Sequence, residues 1–391
     1  MKKRHYFIIN ALFLGLMTFS ALMVIQFMTG YKPMEAIAGI WGKHEVEHVQ
    51  TEACSDKLPL QNLSSTDVSS LKKLSVYQQA CHSFATDTVM VFFSMAADKD
   101  QARRYAIEDA KTLKAFKQAN VRPLVMIEPA DKNGKLLDFK LFANGSYDFA
   151  TDAYFAQLKS EGITSADLGI INPFPEANLP YWKNNQAKYF SPAVNRYLTT
   201  SRKYFAKVET SVLLNSATYE LDDFNWENGD YNSLLPYVKD IQPGLITYVG
   251  LQGFPWVARQ GGNATIFNAA EFLNPLLLQE MADELQTKKV WYNTGTFSSK
   301  YTLDAKERRK ITPSQRKEIL MTIRSQAELM KSKGYEVAVN IFAEDKSDSS
   351  EETDWSYWEG EDPFTSQDTV LLTTFIRDLN TNGIDFWLFD K

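Results

Sequence analysis

Glu176 stands in the stretch "NPFPEANLPYW" (172–182), between two prolines, just after an apolar run and a few positions ahead of Tyr181 and Trp182. A carboxylate held on a stiff turn beside aromatic rings suits a hydroxyl-rich ligand: it can trade a proton with a hydroxyl while the rings take the ligand's flat faces. The same ingredients recur along the chain. Glu128 closes "LVMIE", Gln252 to Trp256 follow "ITYVGL", Asn293 to Thr296 follow "VWY", and Glu344 and Asp345 follow "VAVNIF". Phe254, Trp256, Tyr292, Trp355 and Trp358 join Tyr181 and Trp182 as the rings expected along a groove, with Tyr292 the one best suited to core packing instead. Glu128 and Asn178 are expected as polar walls.

Other chemistries are excluded by what is missing. The four histidines are His5, His44, His48 and His82, so nothing beyond residue 82 supplies an imidazole for a Ser-His-Asp triad or a multi-histidine zinc site. His44 and His48 with Glu45 and Glu47 read as a solvated juxtamembrane stretch. Glu227, Asp230 and the acidic run from Asp345 to Glu352 read as solvated loops, so neither metal nor cofactor is expected. A net charge of −6 without a basic cluster argues against a nucleic-acid partner.

The elements that must position these residues show a regular alternation. Short apolar runs at 89–95, 124–128, 168–172, 211–215, 246–251, 290–292, 337–342 and 384–389 are separated by amphipathic stretches such as "DQARRYAIEDAKTLKAFKQA". A second, "TPSQRKEILMTIRSQAELMKSKG", opens on Thr312 and Pro313 and closes at Gly334. Strand and helix alternating about eight times over roughly 300 residues predicts a (β/α)8 barrel. A doubly wound open sheet is the alternative, but no Gly-rich phosphate loop follows any strand.

Ahead of the barrel, the uncharged run from Tyr6 to Met28 follows "MKKR" and matches about one bilayer crossing, so the chain is expected to carry an N-terminal transmembrane anchor. A cleaved signal peptide is the alternative; its apolar core would usually be shorter. Either places the remainder outside the cytoplasm. The expected organisation is an anchor over 1–29, a polar linker over 30–70 and the barrel over 71–391. Cys54 and Cys81 are expected to pair in that oxidising compartment.

Several segments resemble glycoside hydrolase family 26, the β-mannanase family of a large retaining clan. They are "RPLVMIEP" (122–129), "ANGSYDFATDAYFAQLKSEG" (143–162), "PEANLPYW" (175–182), "YVGLQGFPW" (248–256), "VWYNTGTF" (290–297) and "VNIFAEDKSDSSEETDW" (339–355). They fall in the family's order across about residues 88–358. The resemblance implies a TIM barrel acting on a β-linked polysaccharide, with Glu176 at the position of the general acid.

The chain departs from the family at the partner of that acid. Asn293 stands where the family has its nucleophilic glutamate, Phe254 replaces the tyrosine that bonds the nucleophile, and Pro175 replaces a histidine. An amide cannot attack an anomeric carbon as a carboxylate does. Counting strands from Val89 puts Glu176 after the third and Asn293 after the sixth, whereas the family places acid and nucleophile after the fourth and seventh. Register is restored if "LSVYQ" (74–78) is the first strand and 384–389 an addition or replacement at the closing edge.

Three readings follow. One is an atypical, inverting glycosidase using Glu344, Asp345 or Asp222 as base, about 6.5–9.5 Å from Glu176. The second is an inactive barrel that binds or guides a polysaccharide within an exopolysaccharide synthesis or export system. The third is a structural envelope protein.

Overall fold

The computed structural model describes residues 88–179, 182–216, 234–253, 257–260, 263–266, 273–295, 313–341 and 367–389. The chain divides into two units, Met1–Asp56 and Lys57–Lys391, and all described residues belong to the second. The expected anchor, the linker, the Cys54–Cys81 pair and "LSVYQ" lie outside the described residues. Among the described residues no helix is long and apolar enough to cross a membrane.

Eight parallel strands close into a barrel: β1 (Thr88–Ser94), β2 (Arg122–Glu128), β3 (Ile170–Pro173), β4 (Glu209–Asn215), β5 (Tyr248–Gln252), β8 (Lys289–Thr294), β9 (Glu336–Ile341) and β10 (Asp385–Phe389). Each pairs with its sequential neighbour around the ring, and β10 returns to β1 through Val89–Leu388 and Met90–Phe389. After β5 a short antiparallel pair, β6 (Val257–Gln260) and β7 (Asn263–Ile266), stands apart from the barrel.

That closure corrects one expectation. Because β10 takes the edge of β1, the described strands close the ring by themselves, with Thr88–Ser94 the first of the eight. Glu176 therefore does follow the third strand, and Asn293 lies on the sixth.

The first helix is capped at both ends. In α1 (Lys99–Ala119), Asp98 accepts a bond from the Gln101 backbone N–H at 2.7 Å and Asn120 ends the helix in the left-handed region. α1 packs against α3 (Asp148–Ser160), which follows the short α2 (Phe139–Ala143), and α3 packs in turn against α5 (Ala187–Tyr204); the short α4 (Ser165–Leu168) precedes β3.

The barrel interior is filled by side chains from alternate positions. Met90, Met126, Ile170, Leu213, Trp291 and Trp387 meet in one buried cluster, the two indoles with centroids 5.5 Å apart. Trp291 donates its indole N–H to Ser211 Oγ at 2.9 Å, which satisfies its one polar atom. Gly250 makes room for that ring, since a Cβ there would lie 2.5 Å from Trp291 Cε2.

Candidate functional site

Strand alternation carries the inward face of this cluster up to the C-terminal ends of the strands. Two residues beyond Met126 comes Glu128; beyond Ile170, Asn172; beyond Leu213, Asn215; beyond Gly250, Gln252; beyond Trp291, Asn293; beyond Ala338, Asn340. Five carboxamides and Glu128 thus form a polar belt toward the C-terminal ends of the inward faces. Cα register joins four of its members directly, Asn215 to Gln252, Gln252 to Asn293 and Asn293 to Asn340.

Glu176 reaches this belt from the loop after β3. That loop stays bonded to the barrel, with Phe174 N–H donating to Ile127 O at 2.9 Å and Glu176 N–H to Leu213 O at 3.0 Å. Phe174 and Glu176 both have left-handed backbones, with φ of 58° and 52°, an uncommon state for residues other than glycine. Ring packing anchors the first of them, since Phe174 meets Phe139 and Phe142 at centroid distances of 5.1 and 5.0 Å.

The Glu176 carboxylate is held by amides. Its Oε1 accepts Asn215 Nδ2–H at 2.7 Å and a close contact from Gln252 Nε2–H. Gln252 is turned that way by Asn293, whose Nδ2 donates to Gln252 Oε1 at 2.5 Å. An ionised carboxylate has acceptors only, so two donors on one oxygen match it. Beyond this chain the belt holds unpaired groups: both amide atoms of Asn172 and of Asn340, and Oδ1 of Asn293, are buried without a hydrogen-bond partner.

Several expected contact residues have other duties. Asn178 pairs both of its amide atoms with the backbone of Asn215, accepting N–H at 2.9 Å and donating to C=O at 2.8 Å, so it locks the loop to β4 rather than facing a ligand. Trp182 is buried and donates its indole N–H to Pro175 O at 3.0 Å, bracing the turn that carries Glu176. Tyr292 has no exposed surface. Trp291 and Asn293 point into the barrel, so Tyr292 between them points outwards into the layer of helices, where burial pushes its phenol up. Glu128 is half-buried on the inward face, as a polar wall requires. Tyr181, Phe254, Trp256, Trp355 and Trp358 lie outside the described residues, as do Asp222, Glu227, Asp230 and the run from Glu344 to Glu352.

Sequence reasoning passed over Asn172, Asn215 and Asn340, and treated Gln252 only as the start of a loop. Their signal was present: each stands two positions after an inward apolar residue, at the end of a buried run. Among the described residues no cluster of His, Cys, Asp and Glu could hold a metal ion.

The chain matches no family model and no curated protein. Among solved structures it is similar to the virulence factor SghA from Agrobacterium tumefaciens, with a TM-score of 0.49 and 9% identity over 80% of this chain and 85% of that one. It is also similar to a β-glucosidase from Thermotoga maritima in complex with castanospermine (0.46; 10%; 75% and 83%) and to fungal β-1,4-galactanases (0.46; 14%; 78% and 91%). These likenesses assign no family. At such values they support no statement about residues or reaction, and the likeness to glycoside hydrolase family 26 stays a resemblance.

Proposed function

We propose that this barrel takes a β-linked polysaccharide into its mouth and holds it there, with Glu176 accepting hydrogen bonds from sugar hydroxyls, and that it does not cleave by double displacement. One observation carries this reading. The strands that bear acid and nucleophile in the family resembled, the fourth and seventh, end their inward faces here in Asn215 and Asn340, and the family's nucleophile string falls on the sixth with Asn293. Amides bind sugars well and attack them poorly.

Hydrolysis is the second reading, favoured by the half-buried, inward-facing Glu128, which among the described barrel strands is the carboxylate at a C-terminal end. It would use Glu176 as acid and a water activated by a second carboxylate, giving inversion. The two readings part on Glu176→Gln. The substituted amide oxygen still accepts from Asn215 and Gln252, so the loop keeps its shape. Under the binding reading neither wild type nor variant releases reducing ends from mannan, glucan or the host's own exopolysaccharide, and retention in an affinity gel changes less than tenfold. Turnover in wild type that vanishes in the variant would establish the hydrolase.

The proposal extends to place. The run from Tyr6 to Met28 behind "MKKR" supports an anchored barrel facing outwards, where it would meet a polysaccharide during synthesis or export. Protease added to intact cells is expected to remove the barrel; full protection would put it on the cytoplasmic side.

A further inference from the structure

We infer that Asn172, Asn293 and Asn340 form a subsite inside the barrel rim for an uncharged, hydroxyl-bearing group, and that this subsite makes the mouth select neutral sugars over uronates or sulfated sugars. The inference rests on the reading of the mouth as a glycan site and deepens it.

These three side chains are 0%, 3% and 0% exposed and carry unpaired amide atoms on the inward face, Asn340 in register with Trp387 and Asn172 with Met126 of the apolar cluster. A buried amide without a partner is costly, and protein interiors seldom keep one. Three around one ring mark a place built to meet something polar. Asn172 and Asn340 each leave both a donor and an acceptor, and Asn293 leaves an acceptor. A hydroxyl is donor and acceptor at once and matches such a set. A carboxylate or sulfate accepts only, so it would leave the amide carbonyls unpaired and would stand close to the Glu176 carboxylate.

Charge at the rim points the same way. The barrel strands end in Ser94, Glu128, Pro173, Asn215, Gln252, Thr294, Ile341 and Phe389, with no lysine or arginine among them. Recognition of an anionic sugar needs a cation, and among the described residues none stands at these strand ends.

The subsite also makes an unusual demand on stability. Replacing Asn340 by leucine removes two unpaired polar atoms from the interior, so the free protein is expected to gain thermal stability while losing affinity. The test uses the full chain in detergent, with neutral manno-, gluco- and galacto-oligosaccharides and with oligogalacturonate, titrated at matched ionic strength. Neutral ligands are expected to bind at least tenfold more tightly than the uronate, and Asn340→Leu and Asn172→Leu to weaken neutral binding at least tenfold with an unchanged or raised Tm. If the variants fail to fold, side-chain amide resonances of Asn172 and Asn340 in wild type serve instead. They should shift on adding the neutral ligand and stay in place with the uronate.

Equal binding of the uronate overturns the selectivity. Leucine variants that bind as wild type, or amide resonances indifferent to ligand, show the belt pairing with internal water only and overturn the subsite. Binding of neither class removes the glycan reading of the mouth, and this inference with it.

Discussion

At the N-terminal end of the barrel, the Glu209 carboxylate meets both Arg122 and Lys289, the latter at 3.3 Å, and both cations lie near the Tyr248 ring, at 5.9 and 5.0 Å. At the C-terminal end, Asn172 and Asn340 are buried more deeply than any of these and meet no partner. One end has charges that are paired and partly solvated; the other has, beside the carboxylates of Glu128 and Glu176, neutral amides left open. A barrel can tolerate unpaired amides only if the rest of it is secured, and here the Trp291–Trp387 plug and the ion network do the securing.

The plug itself is where that division breaks most severely. Trp291→Ala is expected to cost roughly 3–5 kcal/mol of unfolding free energy, read as a lowered urea midpoint, because it opens a cavity beneath Gly250 and orphans Ser211. A loss under 1 kcal/mol would show that the two ends do not depend on it.

Next in size is a group that belongs to neither end. Asp109 on α1 is buried against Tyr154 and Tyr197, and burial pushes its carboxyl from 3.8 up to about 7, although the Tyr154 hydroxyl donates to it at 2.8 Å and Lys132 lies 4.0 Å away. The folded state therefore holds this proton more tightly than the unfolded chain. Its contribution to stability is complete below about pH 4 and is lost as pH rises to about 7, with a limit of about 4 kcal/mol. Asp109→Asn should flatten the fall of stability between pH 4 and 7 in urea titrations; an unchanged slope would mean that the carboxyl ionises freely.

A smaller effect sharpens the description of the upper end. Asn178→Ala removes both bonds to the Asn215 backbone and should destabilise by about 1–3 kcal/mol. Because it also loosens Glu176, glycan affinity should fall more than that of a surface variant of equal stability.

The smallest change is expected below. Glu209 is about one-third exposed, so Glu209→Gln should cost no more than about 1 kcal/mol, reduced further in high salt, with glycan affinity unaltered. A change in affinity would end the separation of the two ends.

Much of this architecture was readable from residues alone. Eight apolar runs at even spacing specify eight strands buried on both faces, because only a parallel sheet covered by helices hides both sides of "VMVFFSM" or "VAVNIF". Pro313 and Gly334 mark helix ends for local reasons of backbone angle, which need no knowledge of the fold. Glu176 too was marked locally, by its prolines and rings.

What the chain does with those residues was settled only by closure of the ring. Strand numbering taken from the family resemblance would make 74–78 the first strand; pairing of β10 with β1 closes the ring with Thr88–Ser94 first, and that fixes the strand on which each described site residue stands. Aromatic and amide side chains such as Trp182 and Asn178 serve both recognition and bracing, and sequence alone does not separate the two. Their indole N–H and amide atoms are claimed by backbone groups that only the folded loop brings near. The belt from Asn215 to Asn340 joins residues more than a hundred positions apart, and it exists because parallel register places their Cα atoms at one level. Sequence sets which groups can bond and which faces must be buried. Register and closure decide which groups meet, since a hydrogen bond depends on separations of a few ångströms that no local pattern encodes.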